Sequence, residues 1–187
     1  MLQIAKLGVL CFFADFFALI KTYCIFMRTK HSHTLAHILR KTMNDKDYQE
    51  WERQVEEAKK HNNRILIEFE NYLKTKLLKP NTIKNHIDNV EFYANDFLLR
   101  YEIIPIEKGF LEIGSFLGDF FIRKASWASK YTIKENIASF KKFYTFLNET
   151  GEISKNELNE MKELIKEEKA DWIEEVENYW NNIENDW

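Results

Sequence analysis

The stretch RKASWASKYTIKENIASFKKFYTFL, Arg123 to Leu147, carries the reading of the chain. Ile133, Ile137, Phe140, Tyr144 and Leu147 recur at intervals of three and four, and Phe143 and Phe146 widen the stripe. That spacing puts apolar side chains on one face of an α-helix. Thr132, with Glu135 three residues later, predicts an N-cap closed by a reciprocal capping box. Six cations, Arg123, Lys124, Lys130, Lys134, Lys141 and Lys142, stand against the single acid Glu135. The expectation is a helix with one core face and one basic face, entered through a short basic segment.

Upstream, residues 45–78 keep helical phase through Trp51, Val55, Ala58, Ile65, Phe69, Tyr72 and Leu73. The polar run 59–64 is a predicted break, and Pro80 a predicted terminator. A second helix from about Asn81 has Ile83, Ile87, Val90, Ala94, Phe97 and Tyr101 as its inner stripe. Pro105 and Gly109 mark a loop, and residues 110–122 read as a short apolar helix. Downstream, Gly151 suits the position just past a helix end. Ser154 with Glu157 predicts another capping box for a helix to Lys169, and Trp172, Val176, Tyr179, Trp180 and Ile183 predict a last one.

No segment alternates with period two, so no sheet is expected. A chain of 187 residues, 45% hydrophobic, with five glycines and two prolines, can bury one core and reads as an all-α bundle of five to six helices. Three regions follow: an apolar, basic leader (1–43), a helical domain (44–151) and acidic helices that pack on it or extend it (152–187).

Charge is unevenly spread. The leader holds six Lys/Arg and one acid, the middle seventeen of each, and the last region four Lys against twelve acids. A pI near 6.0 gives nucleic-acid binding no general support, so such a reading rests on the local patch. In the leader, residues 7–27 are long enough to span a bilayer, but Asp15 and Lys21 interrupt them, and one central Asp costs about as much as several apolar residues gain. No small-residue cleavage pattern follows for a signal peptide. Initiation at Met27 or Met43 is the reading we expect, which gives a cytoplasmic protein; a membrane anchor follows only if the leader is retained and inserted.

Cys11 and Cys24 would stand about 20 Å apart on a helix, too far to bridge, which fits a reducing compartment. His33 and His37 share helical spacing without the intervening Glu of the zinc-protease pattern, and no further His or Cys follows at ligand spacing. No metal or cofactor is therefore expected. Neither a glycine-rich phosphate loop nor a nucleophile–base pattern is present, and no enzyme is expected.

Thr82-Ile83-Lys84 and Thr132-Ile133-Lys134 open two helices alike, with Ile87 and Ile137 at the same offset. A helix start flanked by Lys attracts phosphate. Together with Phe116-Leu117-Gly118-Asp119-Phe120 and the run Phe140 to Leu147, these starts resemble the N-terminal core-binding domain of tyrosine recombinases and phage integrases, over roughly residues 50–168. The resemblance implies a SAM-like bundle that grips one side of duplex DNA. It places the starts of the second and fourth helices against the DNA, here Thr82, Lys84 and Asn85, and Thr132, Lys134 and Lys141. The family's catalytic Arg, His-x-x-Arg pair and nucleophilic Tyr have no counterpart after Gly151.

Two functions follow as expectations. The first is non-catalytic duplex-DNA binding, accessory or regulatory to recombination or integration, through Thr82, Lys84, Asn85, Arg123, Lys124, Lys130, Thr132, Lys134, Lys141 and Lys142. Asn81, Asn85, Asn89 and Asn136 are candidates for contacts to base edges. The alternative is a protein-interaction module that docks the Trp-containing acidic tail on a partner. In a DNA binder that tail either points away from the basic patch or masks it.

Overall fold

The computed structural model describes residues 45–185, which are helix and connecting loop with no strand among them. The chain clusters into two units, residues 1–49 and 50–187. The second is a bundle of five helices. The leader, with Cys11, Cys24, His31, His33 and His37, lies outside the described residues, as does Trp187. Among the described residues no helix is long and apolar enough to cross a membrane.

Helix α1 (Asp45–Thr75) runs without the break expected at 59–64. The polar run is accommodated because its inward members find partners. Asn62 is buried, and its amide donates to Asn95 Oδ1 at 3.0 Å and to the Ala94 carbonyl at 3.4 Å. His61 Nε2 meets Glu107 Oε1 at 2.5 Å, while the remaining residues of the run are exposed. From there Ile65, Leu66, Phe69 and Leu73 are buried, whereas Trp51, Val55 and Ala58 are only half-buried.

Nor does Pro80 terminate α1. The helix stops at Thr75, Leu77 takes a left-handed φ of 56°, and Pro80 becomes the first residue of α2 (residues 80–97). A proline suits that position, since its missing N–H would have no partner there. The helix is α over Pro80–Glu91 and π over Phe92–Phe97. The wider π turn shifts the phase of the stripe. Leu98 therefore lies inside in place of the expected Phe97 and Tyr101, which are only half-buried; at the start of the π turn Tyr93 joins Ile83, Val90 and Ala94 inside, and the expected Ile87 is half-buried.

Helix α3 (residues 109–124) changes pitch from 3-10 to α to π and back to α. It buries Phe110, Ile113, Phe116, Leu117, Phe120, Phe121 and Ile122, the composition of a helix enclosed by neighbours. Helix α4 (Lys130–Thr150) buries every residue of its expected stripe. Phe143 meets Phe69 edge-on at 5.2 Å, and Phe140 lies 4.8 Å from Tyr93 and 5.8 Å from Phe116. Such edge-to-face pairs add to simple burial.

The cap of α4 differs from the one expected. Ser129 is the N-cap: its hydroxyl accepts from the Thr132 N–H at 3.2 Å, and the Thr132 hydroxyl accepts from the Ser129 N–H at 2.9 Å. Thr132 is thus the third helical residue, and Glu135 instead bonds Tyr131. At the other end Gly151 adopts the expected left-handed conformation, φ 87°, which a Cβ would strain. Helix α5 (Lys155–Asn185) opens with the expected box. The Ser154 N–H donates to Glu157 Oε2 at 2.8 Å and the Glu157 N–H to Ser154 Oγ at 3.2 Å. It continues as one helix, with no division near Lys169. Met161, Ile165, Trp172 and Val176 close the core from this side.

The turn before α3 is held from inside. Tyr93 and Tyr144 are fully buried, and their hydroxyls donate to the carbonyls of Gly109 and of Ile106, the latter at 3.1 Å. Desolvation raises both phenol pKa values, so each remains a donor. A Cβ on Gly109 would lie 2.7 Å from Leu98 Cδ1 and 2.8 Å from the Tyr144 hydroxyl oxygen. Gly109→Ala is expected to destabilise the bundle by about 1–3 kcal/mol through overpacking, read as a lower urea midpoint at unchanged slope.

Candidate nucleic-acid interface

The core stripe of α4 leaves Lys134, Ala138, Lys141 and Lys142 on its solvent side, all exposed. Residues 134, 138, 141 and 142 share one helix face, and the rise of the helix spaces its ends by about 12 Å. No acidic partner holds Lys134, Lys141 or Lys142 among the described residues, and Lys124 is likewise exposed and unpaired. Small, exposed Ala138 leaves the surface between the cations open to a backbone.

The other expected cations are differently placed. Arg123 Nη2 is held by Asp119 one turn earlier, and Lys84 by Asp88 one turn later. Lys130 Nζ lies 2.9 Å from Glu177 Oε1 of α5. The Thr132 hydroxyl is engaged in the capping box, so it presents no open group to a ligand. Thr82 and Asn85 are exposed at the start of α2, where no side chain caps the helix. There the N–H groups of Asn81 and Thr82 lack intrahelical partners. Lys84 also borders an open groove of about 600 Å³ between α1 and α2, lined by Leu77, Leu78, Pro80, Ile83 and Ile87. An apolar floor and a neutralised lysine make it a poor phosphate site.

Thr82 and Thr132 occupy the same position, third in their helices, and each is followed by a buried Ile and an exposed Lys. The likeness of the two starts is therefore one of helical register. It extends to a seam between α2 and α4. Ser139 Oγ donates to the Glu135 carbonyl at 2.9 Å and receives Asn89 Nδ2 at 3.0 Å and His86 Nδ1 at 2.9 Å. With its one proton committed, the hydroxyl accepts from both, which places the neutral imidazole proton on Nδ1. Nε2 is then a buried, bare acceptor. Asn136 is 1% exposed and gives its amide to the Thr132 carbonyl at 2.9 Å. Asn136 is thus enclosed, Asn89 is half-buried with its amide on Ser139, and of the expected set only Asn81 and Asn85 remain exposed.

The acidic helix neither points away nor covers the whole patch. Glu177 takes Lys130, and Trp180 Nε1 donates to the Ala128 carbonyl at 2.8 Å. This half of α5 is thereby fastened to the loop that enters α4. Trp172 and Val176 are core, 3% and 0% exposed. Removing the helix would therefore open the bundle rather than unmask a surface.

The reading of the sequence passes over two residues in this region: Trp127 and Tyr131 are 59% and 67% exposed. Their signal is that both fall outside the apolar stripe of α4 while standing between lysines. No group of His, Cys, Asp and Glu among the described residues is arranged to hold a metal. Comparison with protein-family models, curated proteins and solved structures finds no match to this chain.

Burial lowers the pKa of His86 below 6.5, and the nearby Lys142 lowers it further. In the window between that lowered value and 6.5 the unfolded chain takes up a proton that the folded one does not. Stability is thus full above 6.5 and falls as the pH drops through the window. Urea melts at pH 7.5 and 5.5 are expected to show this loss, and His86→Asn, which keeps a donor for Ser139, to remove most of it.

Proposed function

We propose that the solvent face of α4 binds the phosphate backbone of duplex DNA, as a non-catalytic surface accessory or regulatory to recombination or integration. The observation that carries this reading is the row of unpaired Lys134, Lys141 and Lys142 on a helix whose opposite face is locked in the core. Lys124 extends the row beyond the helix start. A rigid row of cations matches a regularly spaced row of phosphates and releases counterions on contact. The resemblance to recombinase core-binding domains points to the same helix and supplies the link to recombination. In this reading Arg123 and Lys130 join only if the DNA displaces Asp119 and Glu177.

The alternative, a partner docked on tail aromatics, has two of its anchors engaged within the bundle, with Trp187 outside the described residues. Trp172 is in the core and Trp180 bonds the Ala128 carbonyl within the bundle.

The test is fluorescence anisotropy with a random duplex of about 20 base pairs, across salt from about 50 to 200 mM. Four phosphates neutralised by Lys124, Lys134, Lys141 and Lys142 predict a log–log slope of about −4. Lys134→Glu/Lys141→Glu is expected to reduce the slope to about −2 and to weaken binding more than tenfold at the lower salt. Glu177→Gln, which frees Lys130, is expected to steepen the slope by about one. Absence of salt-dependent binding at about 50 mM overturns the reading.

A further inference from the structure

The loop entering α4 displays an aromatic ring by construction. Ala125 and Ala128 are buried, 1% and 4% exposed, so the residues between them, Ser126 and Trp127, are lifted into solvent. Three hydrogen bonds fix this turn. The Ala128 N–H donates to the Ala125 carbonyl at 2.9 Å, the Thr132 hydroxyl to the Trp127 carbonyl at 3.2 Å, and Trp180 Nε1 to the Ala128 carbonyl at 2.8 Å. The indole of Trp127 lies 5.9 Å from the ring of Phe92, which supports it from below and leaves 59% of the residue exposed.

A large aromatic held rigidly in water forgoes its burial, and its ordering entropy is already lost. Lys124 precedes it by three residues, and Tyr131 and Lys134 follow on the first turns of α4. Of the six large apolar side chains exposed among the described residues, two, Trp127 and Tyr131, fall within this five-residue span. Fixed aromatics between cations are the elements of a site that stacks on bases and holds the flanking phosphates.

We infer that Trp127 stacks on an unpaired base of DNA, with Lys124 and Lys134 on the phosphates either side, so that the protein prefers DNA carrying unpaired or extruded bases over continuous duplex. This rests on the DNA reading of α4 and narrows its substrate. The bland role, a surface tryptophan closing over Phe92, makes no such preference.

The test compares two probes with the full chain: a paired duplex, and the same duplex with a bulge of three unpaired bases, one of them 2-aminopurine. Tighter binding of the bulged probe is expected, with quenched 2-aminopurine fluorescence. Trp127→Ala is expected to weaken bulge binding about tenfold, to abolish the quenching, and to leave paired-duplex affinity and salt slope unchanged. Trp127→Phe is expected to retain most of the preference, which separates loss of stacking from loss of fold. Equal affinity for both probes, or a bulge preference and quenching unaffected in Trp127→Ala, overturns the inference while leaving the phosphate surface standing. Binding of neither probe at about 50 mM salt overturns both.

Discussion

Two buried phenols set the geometry on which the rest of the bundle depends. A hydroxyl taken out of water must find a partner or cost about 1–3 kcal/mol. Tyr93 on α2 and Tyr144 on α4 both find theirs in the backbone of the 106–109 turn. The turn is thus tied to two helices at once, and only a residue without a Cβ fits between the rings at position 109. From that fixed start α3 runs through the aromatic core, with Phe116 against Tyr93, Phe97 and Phe140. Its far end delivers the chain to Ala125, and so determines where α4 begins and which way Trp127 is held.

Charge in the candidate site is governed by the same arrangement. Surface ion pairs contribute little to stability, but they decide which cations are open to a ligand. Asp119, Asp88 and Glu177 engage Arg123, Lys84 and Lys130, and what remains of the expected cations is the row along α4 together with Lys124. The acidic helix is therefore part of the definition of the site. It closes the core through Trp172 and Val176 and trims the basic patch at one end through Glu177.

Much of the bundle was legible in the chain because helical phase is a local property. The stripe of α4, the Ser154–Glu157 box and the left-handed Gly151 all depend on residues within a few positions of one another, and all three appear as read. The errors fall where a local pattern admits two answers. Ser129 and Thr132 are both good caps, and the choice of Ser129 is settled by the turn from Ala125 to Ala128 that precedes it. The run at 59–64 resembles a break until Asn62 is given Asn95 and Ala94 as partners. No propensity signals the π turn at Phe92–Phe97, which brings Leu98 rather than Phe97 inward by shifting the stripe. The exposed lysines were legible as the solvent side of α4, and the two i, i+4 pairs at Arg123 and Lys84 were also readable. Glu177 on Lys130 joins residues 47 positions apart in sequence, and nothing local announces it.

The sequence by itself determined that the described residues are helical, where the apolar stripe of α4 lies, and that the solvent side of that helix carries Lys134, Lys141 and Lys142, because each of these follows from side chains at fixed angular intervals on one helix. The tertiary structure decided which of those cations stay unpaired, which asparagines are hidden in the α2–α4 seam, and that Trp127 stands out in water. These depend on which helix lies beside which. That was fixed by the burial of Tyr93, Tyr144 and the aromatic core between them, through contacts whose partners are distant in the chain.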